Sequence, residues 1–176
     1  MDTISGGIIP TGGSVNLSIE ANKKGIVRLP DGNYLDTVDG VINETYTGDE
    51  GGITYFVDNT SNSVSLISSG LKGAIECTGD NPLYLAGNSA LTSIVANGSR
   101  IVDANNCSLT AKAIGDLLYA AFVFNFMDCY FDFTGGSNAL ESEVTDSLLS
   151  VHNMAYSDVY TTLVTVNGGT ILIDTV

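Results

Sequence analysis

Phe131-Asp132-Phe133-Thr134-Gly135-Gly136-Ser137-Asn138-Ala139-Leu140-Glu141 decides how the second half of this 176-residue chain is read. Phe131 and Phe133 alternate with Asp132 and Thr134, the period-two pattern of a half-buried strand. Gly135-Gly136-Ser137 reads as a turn, because glycine reaches the left-handed conformations that turns require. Asn138 and Glu141 have the spacing of a capping box, so a helix is expected to open there.

The same order is found upstream. Leu83-Tyr84-Leu85 and Ser93-Ile94-Val95 read as brief strands that stop at Gly87-Asn88 and Asn97-Gly98. Ala113, Ile114, Leu117, Leu118, Ala121 and Phe122 then recur at the helical period, which predicts a buried helix capped by Ser108 or Thr110. Sliding the second helical segment onto the first superposes Leu140, Leu148 and Leu149 on Leu109, Leu117 and Leu118. A third strand is expected at Leu163-Val164-Thr165-Val166, ending at Asn167-Gly168-Gly169, with Ile171-Leu172-Ile173 closing the array. A weak repeat with a period of about 30 residues is the pattern of a short solenoid, whose neighbours bury what one unit cannot.

Further upstream only period two is visible. Ser14 to Ile19, Gly25 to Leu29, Ile53 to Val57 and Ser63 to Ile67 alternate as short strands. Turn signals separate them at Asn22-Lys23-Lys24-Gly25, Pro30-Asp31-Gly32-Asn33 and Gly48-Asp49-Glu50-Gly51-Gly52. The expected class is therefore a β-dominated α+β protein. Residues 1–76 would form an antiparallel β-sandwich or barrel for attachment and assembly, and residues 77–176 a strand-turn-helix repeat-like module.

Composition bounds what the chain does. Hydrophobic residues make up 44% and charged residues 15%, with 20 glycines against 3 prolines, so a strand-and-turn globular protein is expected rather than a disordered one. A formal charge of −14 disfavours binding to a phosphate backbone, so nucleic acid is not an expected partner. Lys112 is the last basic residue, and the acidic residues from Asp116 to Asp174 follow it unopposed. No leader-like start and no stretch near eighteen apolar residues is seen, and a membrane partner is not expected. Cys77, Cys107 and Cys129 lack close metal-ligand spacing and read as small buried hydrophobes of a reducing compartment. Asn-x-Ser/Thr triplets are what so Ser/Thr/Asn-rich a composition yields by chance.

Searching for chemistry gives little. His152 is the one histidine, near the end of the second predicted helix, so a hydrolytic triad has a single base to draw on; the simpler reading is a helix C-terminal cap. Asp49-Glu50, or Asp36 with Asp39, could serve glycoside hydrolysis, but no tryptophan supplies a sugar platform. Asp31-Gly32-Asn33-Tyr34-Leu35-Asp36 gathers oxygen ligands without the full calcium loop and reads as a turn. Gly12-Gly13, Gly51-Gly52, Gly135-Gly136 and Gly168-Gly169 lack a phosphate-loop context and also read as turns. Leu117 to Phe126 is too apolar for one face of a surface helix, so it is core or interface. No enzyme activity, cofactor or metal is expected.

Cys107-Ser108-Leu109-Thr110, Phe131 to Ala139 and Val164-Thr165-Val166-Asn167 together resemble a leucine-rich-repeat-like module of structural proteins of tailed phages. In that family a helix, a strand ending in a Gly-Gly-Thr-Asn-Ala-like turn, a further helix and a Thr-Val-Asn-like strand follow one another. Gly135-Gly136-Ser137-Asn138-Ala139 is the most specific match; Ala139-Leu140-Glu141-Ser142-Glu143 departs from a loop that usually contains proline. The overall look is similar to auxiliary capsid proteins of crAss-like gut phages.

The resemblance implies a non-enzymatic virion protein, a decoration or head-fibre-associated component, made in the host cytoplasm and carried on the capsid surface. Its partners would be the major capsid protein or other virion proteins, together with copies of itself. A carbohydrate-binding fibre module using Tyr34, Tyr46 and Tyr55 is the alternative, and a glycoside hydrolase a remote one. Because the basic residues lie in the earlier part, Lys23, Lys24 and Arg28 are the candidate docking charges, with Ile4 to Pro10 as an apolar arm and the repeat-like unit facing outward.

Overall fold

The structure, a computed structural model, describes residues 2–8, 14–21, 25–29, 31–36, 41–47, 51–57, 64–67, 71–77, 82–96 and 98–175. Its strands are β1 (Asp2–Ile8), β2 (Ser14–Ala21), β3 (Gly25–Arg28), β4 (Tyr34–Asp36), β5 (Val41–Thr47), β6 (Gly51–Val57), β7 (Val64–Ile67), β8 (Leu71–Cys77), β9 (Leu83–Tyr84), β10 (Ala90–Ala96), β11 (Ile101–Asp103), β12 (Tyr130–Phe133) and β13 (Thr170–Ile173). The helices are α1 (Ala111–Val123), α2 (Glu141–His152) and α3 (Tyr156–Tyr160), the last running into a π-helical turn, Thr161–Val166.

These strands make two sheets that both pass from the early part of the chain into the late part. One has the order β10-β8-β1-β6-β3-β4 and the other β13-β12-β11-β9-β7-β2-β5. Early strands pair antiparallel, β1 with β6 and β8, and β2 with β5 and β7. The ladder then turns parallel, from β8 to β10 and from β7 through β9, β11 and β12 to β13. The expected antiparallel sandwich or barrel is thereby corrected to a mixed α/β fold with parallel ladders and helices. The reason is edge completion. β7 and β8 would otherwise end their sheets with open backbone groups, and the parallel strands of the later segment satisfy them.

Four further expectations change. β1 lies between β6 and β8, paired on both sides, so Ile4 to Ile8 of the expected arm belong to a central strand, while Ile9 and Pro10 lie outside the described residues. Gly51 and Gly52 lie inside β6, opposite Ile8 and Gly7, and are not a turn. Leu163 to Val166 forms the π-helical turn instead of a strand, closed by the Asn167 N–H on Thr162 O at 3.0 Å. Its β-branched residues favour strand, but burying Leu163 while leaving Thr165 and Val166 exposed overrides that preference. The cap of α2 also moves: Leu140 is its first flanking residue, and Glu143 Oε2 accepts from Leu140 N at 2.8 Å.

The core sits between the parallel strands and the helices. Leu83, Val102, Phe131 and Ile171 form one in-register row facing it, and all four are buried. Ile114, Leu117 and Leu118 of α1, Val144 and Leu148 of α2, Val159 and Leu163 close it from the other side. Leu148 is buried like Leu117, as expected, but Leu149, expected to match Leu118, is 58% exposed.

Candidate functional site

Where the chain turns after β9, β11 and β12, one side chain, Asn88, Cys107 or Asn138, braces the neighbouring turn. Asn88 donates Nδ2–H to Leu85 O (2.8 Å) and accepts from Leu71 N (3.0 Å). Cys107 Sγ donates to that same Leu85 carbonyl at 3.1 Å. Asn138 accepts from Leu109 N (2.8 Å) and donates to Ala104 O and Phe133 O (2.9 and 3.1 Å), so it ties two coils rather than capping α2. Each satisfies carbonyls that a buried turn would otherwise orphan. Gly136 makes the stacking close: with φ at +66°, a Cβ there would stand 2.4 Å from Cys107 O.

This brace was legible in the chain as Leu83-x-Leu85-x-x-Asn88 and Val102-x-Ala104-x-x-Cys107-x-Leu109, the leucine-rich spacing with Asn or Cys at the turn position. By the sequence alone Asn88 reads as a strand end and Cys107 as a buried thiol, although Cys107 to Thr110 also belong to the repeat-like resemblance. Burial holds the Cys107 thiol up at about 11, outweighing the lowering by backbone hydrogen bonds at Asn88 and Gly87. Cys77, Cys107 and Cys129 are all buried and none is joined in a disulfide; burial pushes the Cys107 and Cys129 thiols up, which makes these two structural thiols held in their protonated form.

Because inward residues alternate with outward ones, the opposite face of the ladder carries a second row: Tyr84, Asp103, Asp132 and Leu172. Ile101, Tyr130 and Thr170 form the row beside it. Neighbouring strands lie about 4.8 Å apart, so Asp103 and Asp132 bring like charges together, and each is held by donors from its own strand end. Asn105 Nδ2 donates to Asp103 Oδ1 at 2.8 Å. Thr134 gives both its hydroxyl (2.7 Å) and its N–H (3.0 Å) to Asp132 Oδ1, while the Tyr130 hydroxyl donates to Asp132 Oδ2 at 3.4 Å. Burial, followed by the Asp132 and Asp103 carboxylates, pushes the Tyr130 phenol above its ordinary range. The result is a fixed face with aromatic surface at Tyr84 and Tyr130 and, between them, the part-exposed Asp103 carboxylate beside the buried Asp132. It can accept hydrogen bonds and attract cationic or hydroxyl-rich groups.

A scan against protein-family models, a search of curated proteins and a search of solved structures each found no match. The site is therefore read from its own geometry.

Residues singled out by the sequence fall elsewhere. Lys23 and Lys24 lie outside the described residues. Arg28 is exposed on β3, opposite Tyr34 and Thr54, in the six-stranded sheet and not in the sheet that carries the outer face. Tyr34 and Tyr55 belong to that six-stranded sheet, whereas Tyr46 belongs to the seven-stranded one. Asp31 accepts from Asn33 N and Nδ2 at 2.9 and 3.0 Å, a side-chain-closed turn. Asp39, Asp49 and Glu50 lie outside the described residues. Among the described residues no group of three or more His, Cys, Asp or Glu side chains is arranged to hold a metal ion.

His152 ends α2 with Nε2 2.8 Å from Asp116 Oδ1 and its ring stacked on Tyr119 at 4.0 Å. Asp116 is also the partner of Lys112 one turn earlier. The histidine clasps α2 to α1, a structural use of the one imidazole the chain has. No helix among the described residues is long and apolar enough to cross a membrane.

Proposed function

We propose that the chain is a non-enzymatic structural protein of a tailed-phage virion, an auxiliary component of the capsid surface that presents the outer face of its parallel ladder to a partner. The observation that carries the reading is the row Tyr84-Asp103-Asp132-Leu172. Its backbone is fixed by in-register pairing, and its two carboxylates are oriented by Asn105, Thr134 and Tyr130. Such a surface suits recognition, because ordering it costs little on binding. His152, engaged with Asp116 and Tyr119, supports a structural role over a catalytic one.

Docking to the particle through the early strands, with Lys23, Lys24 and Arg28 as charges toward the major capsid protein or further copies, remains part of the proposal. Reversing Lys23 and Lys24 to Glu and counting copies on purified particles tests it. Loss of the protein from particles is expected; an undiminished complement overturns the docking assignment. Tyr130, 37% exposed beside Asp103 and Asp132, favours a glycan as the alternative occupant of the outer face. A glycan array separates the two: binding abolished by Tyr130→Ala favours the adhesin reading.

A further inference from the structure

Among the described residues, β13 has β12 on one side and no strand on the other. Thr170 donates its N–H to Cys129 O at 2.7 Å, so in a parallel ladder Thr170 and Leu172 bond β12 while the backbone groups of Ile171 and Ile173 face the outer edge. Beside that edge runs a groove of about 360 Å³, lined by Ile171, Ile173, Tyr156, Tyr160, Ser157 and Glu141. It is the open end of the core. Ile171 and Ile173 continue the rows of Phe131 and Phe133, and the Tyr156 and Tyr160 rings, 5.9 Å apart, form the opposite wall. A further coil would put its inward side chains there.

We propose that this edge and groove take an extended strand from a different protein, added parallel to β13, with apolar side chains at alternate positions and Lys or Arg at its ends. Register fixes the alternation, because side chains next to Ile171 and Ile173 enter the groove while the one between them lies beside Leu172. Charge fixes the ends. Glu141 lines the groove, Asp158 lies on α3 and Asp174 follows β13, and no Lys or Arg occurs after Lys112. A second copy, at −14, brings the wrong overall sign. This surface is distinct from the outer face, and the inference holds whichever partner that face takes.

The test uses the full chain and a capped peptide, Lys-Val-Thr-Val-Thr-Val-Lys, titrated by NMR. Shifts confined to Thr170–Ile173, Tyr156 and Tyr160 are expected. Replacing the peptide's lysines by Glu should weaken binding roughly tenfold or more, and added salt should weaken the lysine form. Tyr160→Ala should weaken binding severalfold with unchanged thermal unfolding, and Glu141→Gln should weaken it severalfold in protein that remains folded. The proposal is overturned by equal binding of the two peptides, by shifts elsewhere, or by no shift at millimolar peptide. It is overturned as well if the protein alone shows concentration-dependent shifts on β13, which would make a second copy the occupant.

Discussion

Helix α1 buries Ala113, Ile114, Gly115, Leu117, Leu118 and Ala121, whereas α2, packed beside it, buries Val144 and Leu148. Their ends differ in the opposite sense. α1 has a side-chain cap, Thr110 Oγ1 accepting from Ala113 N at 3.2 Å, and no acid in its first turn. α2 has Glu141 and Glu143 at its start and His152 at its end, the arrangement that suits the helix dipole. The two pack closely at Gly115, where a Cβ would stand in ordinary contact with Ser147 Oγ at 3.4 Å. Equivalent places in successive units are thus held by different physics, α1 by burial and α2 by its termini and a clasp.

Leu117→Asp should break the comparison outright. Leu117 is 4% exposed, and an unpaired carboxylate there costs more than a marginal domain of about 5–15 kcal/mol tolerates once the lost packing is added. Loss of cooperative thermal unfolding, or insoluble protein, is expected; an unchanged melting temperature would contradict the packing. The next effect sits at the turn that feeds α1. Burial raises the Cys107 thiol from 9.0 to about 11, so the unfolded chain loses this proton before the folded one does. The stabilisation is fully present below pH 9 and lost as pH rises through 11, about 2–3 kcal/mol by linkage. Denaturant unfolding across that range should show a decline that Cys107→Ala reduces.

His152→Ala should cost about 1 kcal/mol, because it removes both the hydrogen bond to Asp116 Oδ1 and the ring stacked on Tyr119. Chemical denaturation measures it. Leu149→Ala, on the exposed side of α2, should change stability by less than about 0.5 kcal/mol. A core-sized loss at Leu149 would restore the equivalence with Leu118 that the structure removes.

What the sequence disclosed follows the range of the interactions. α1 was visible because its stripe repeats within thirteen residues, and β12 with its glycine turn because both are local. The joining of β7 to β9 and of β8 to β10 was not, since parallel pairing between distant segments leaves no mark in either one. Val164-Thr165-Val166 misled for a related reason: β-branched residues report a preference that the burial of Leu163 overruled. In the candidate site, Asp132 and Thr134 were read as the polar side of a strand, but only the register shows that Asp103 and Tyr84 share their row.

The placement of β1 has a kinetic consequence. Asp2–Ile8 pairs with Gly51–Val57 and Leu71–Cys77, so its sheet cannot close until segments some fifty and seventy positions away have reached it. Closing such loops is slow, and meanwhile both backbone edges of the strand stand open to other chains. The later coils, whose partners are nearer in sequence, can assemble ahead of it. The molecule would then mature from its C-terminal half backwards, against the direction in which it is synthesised.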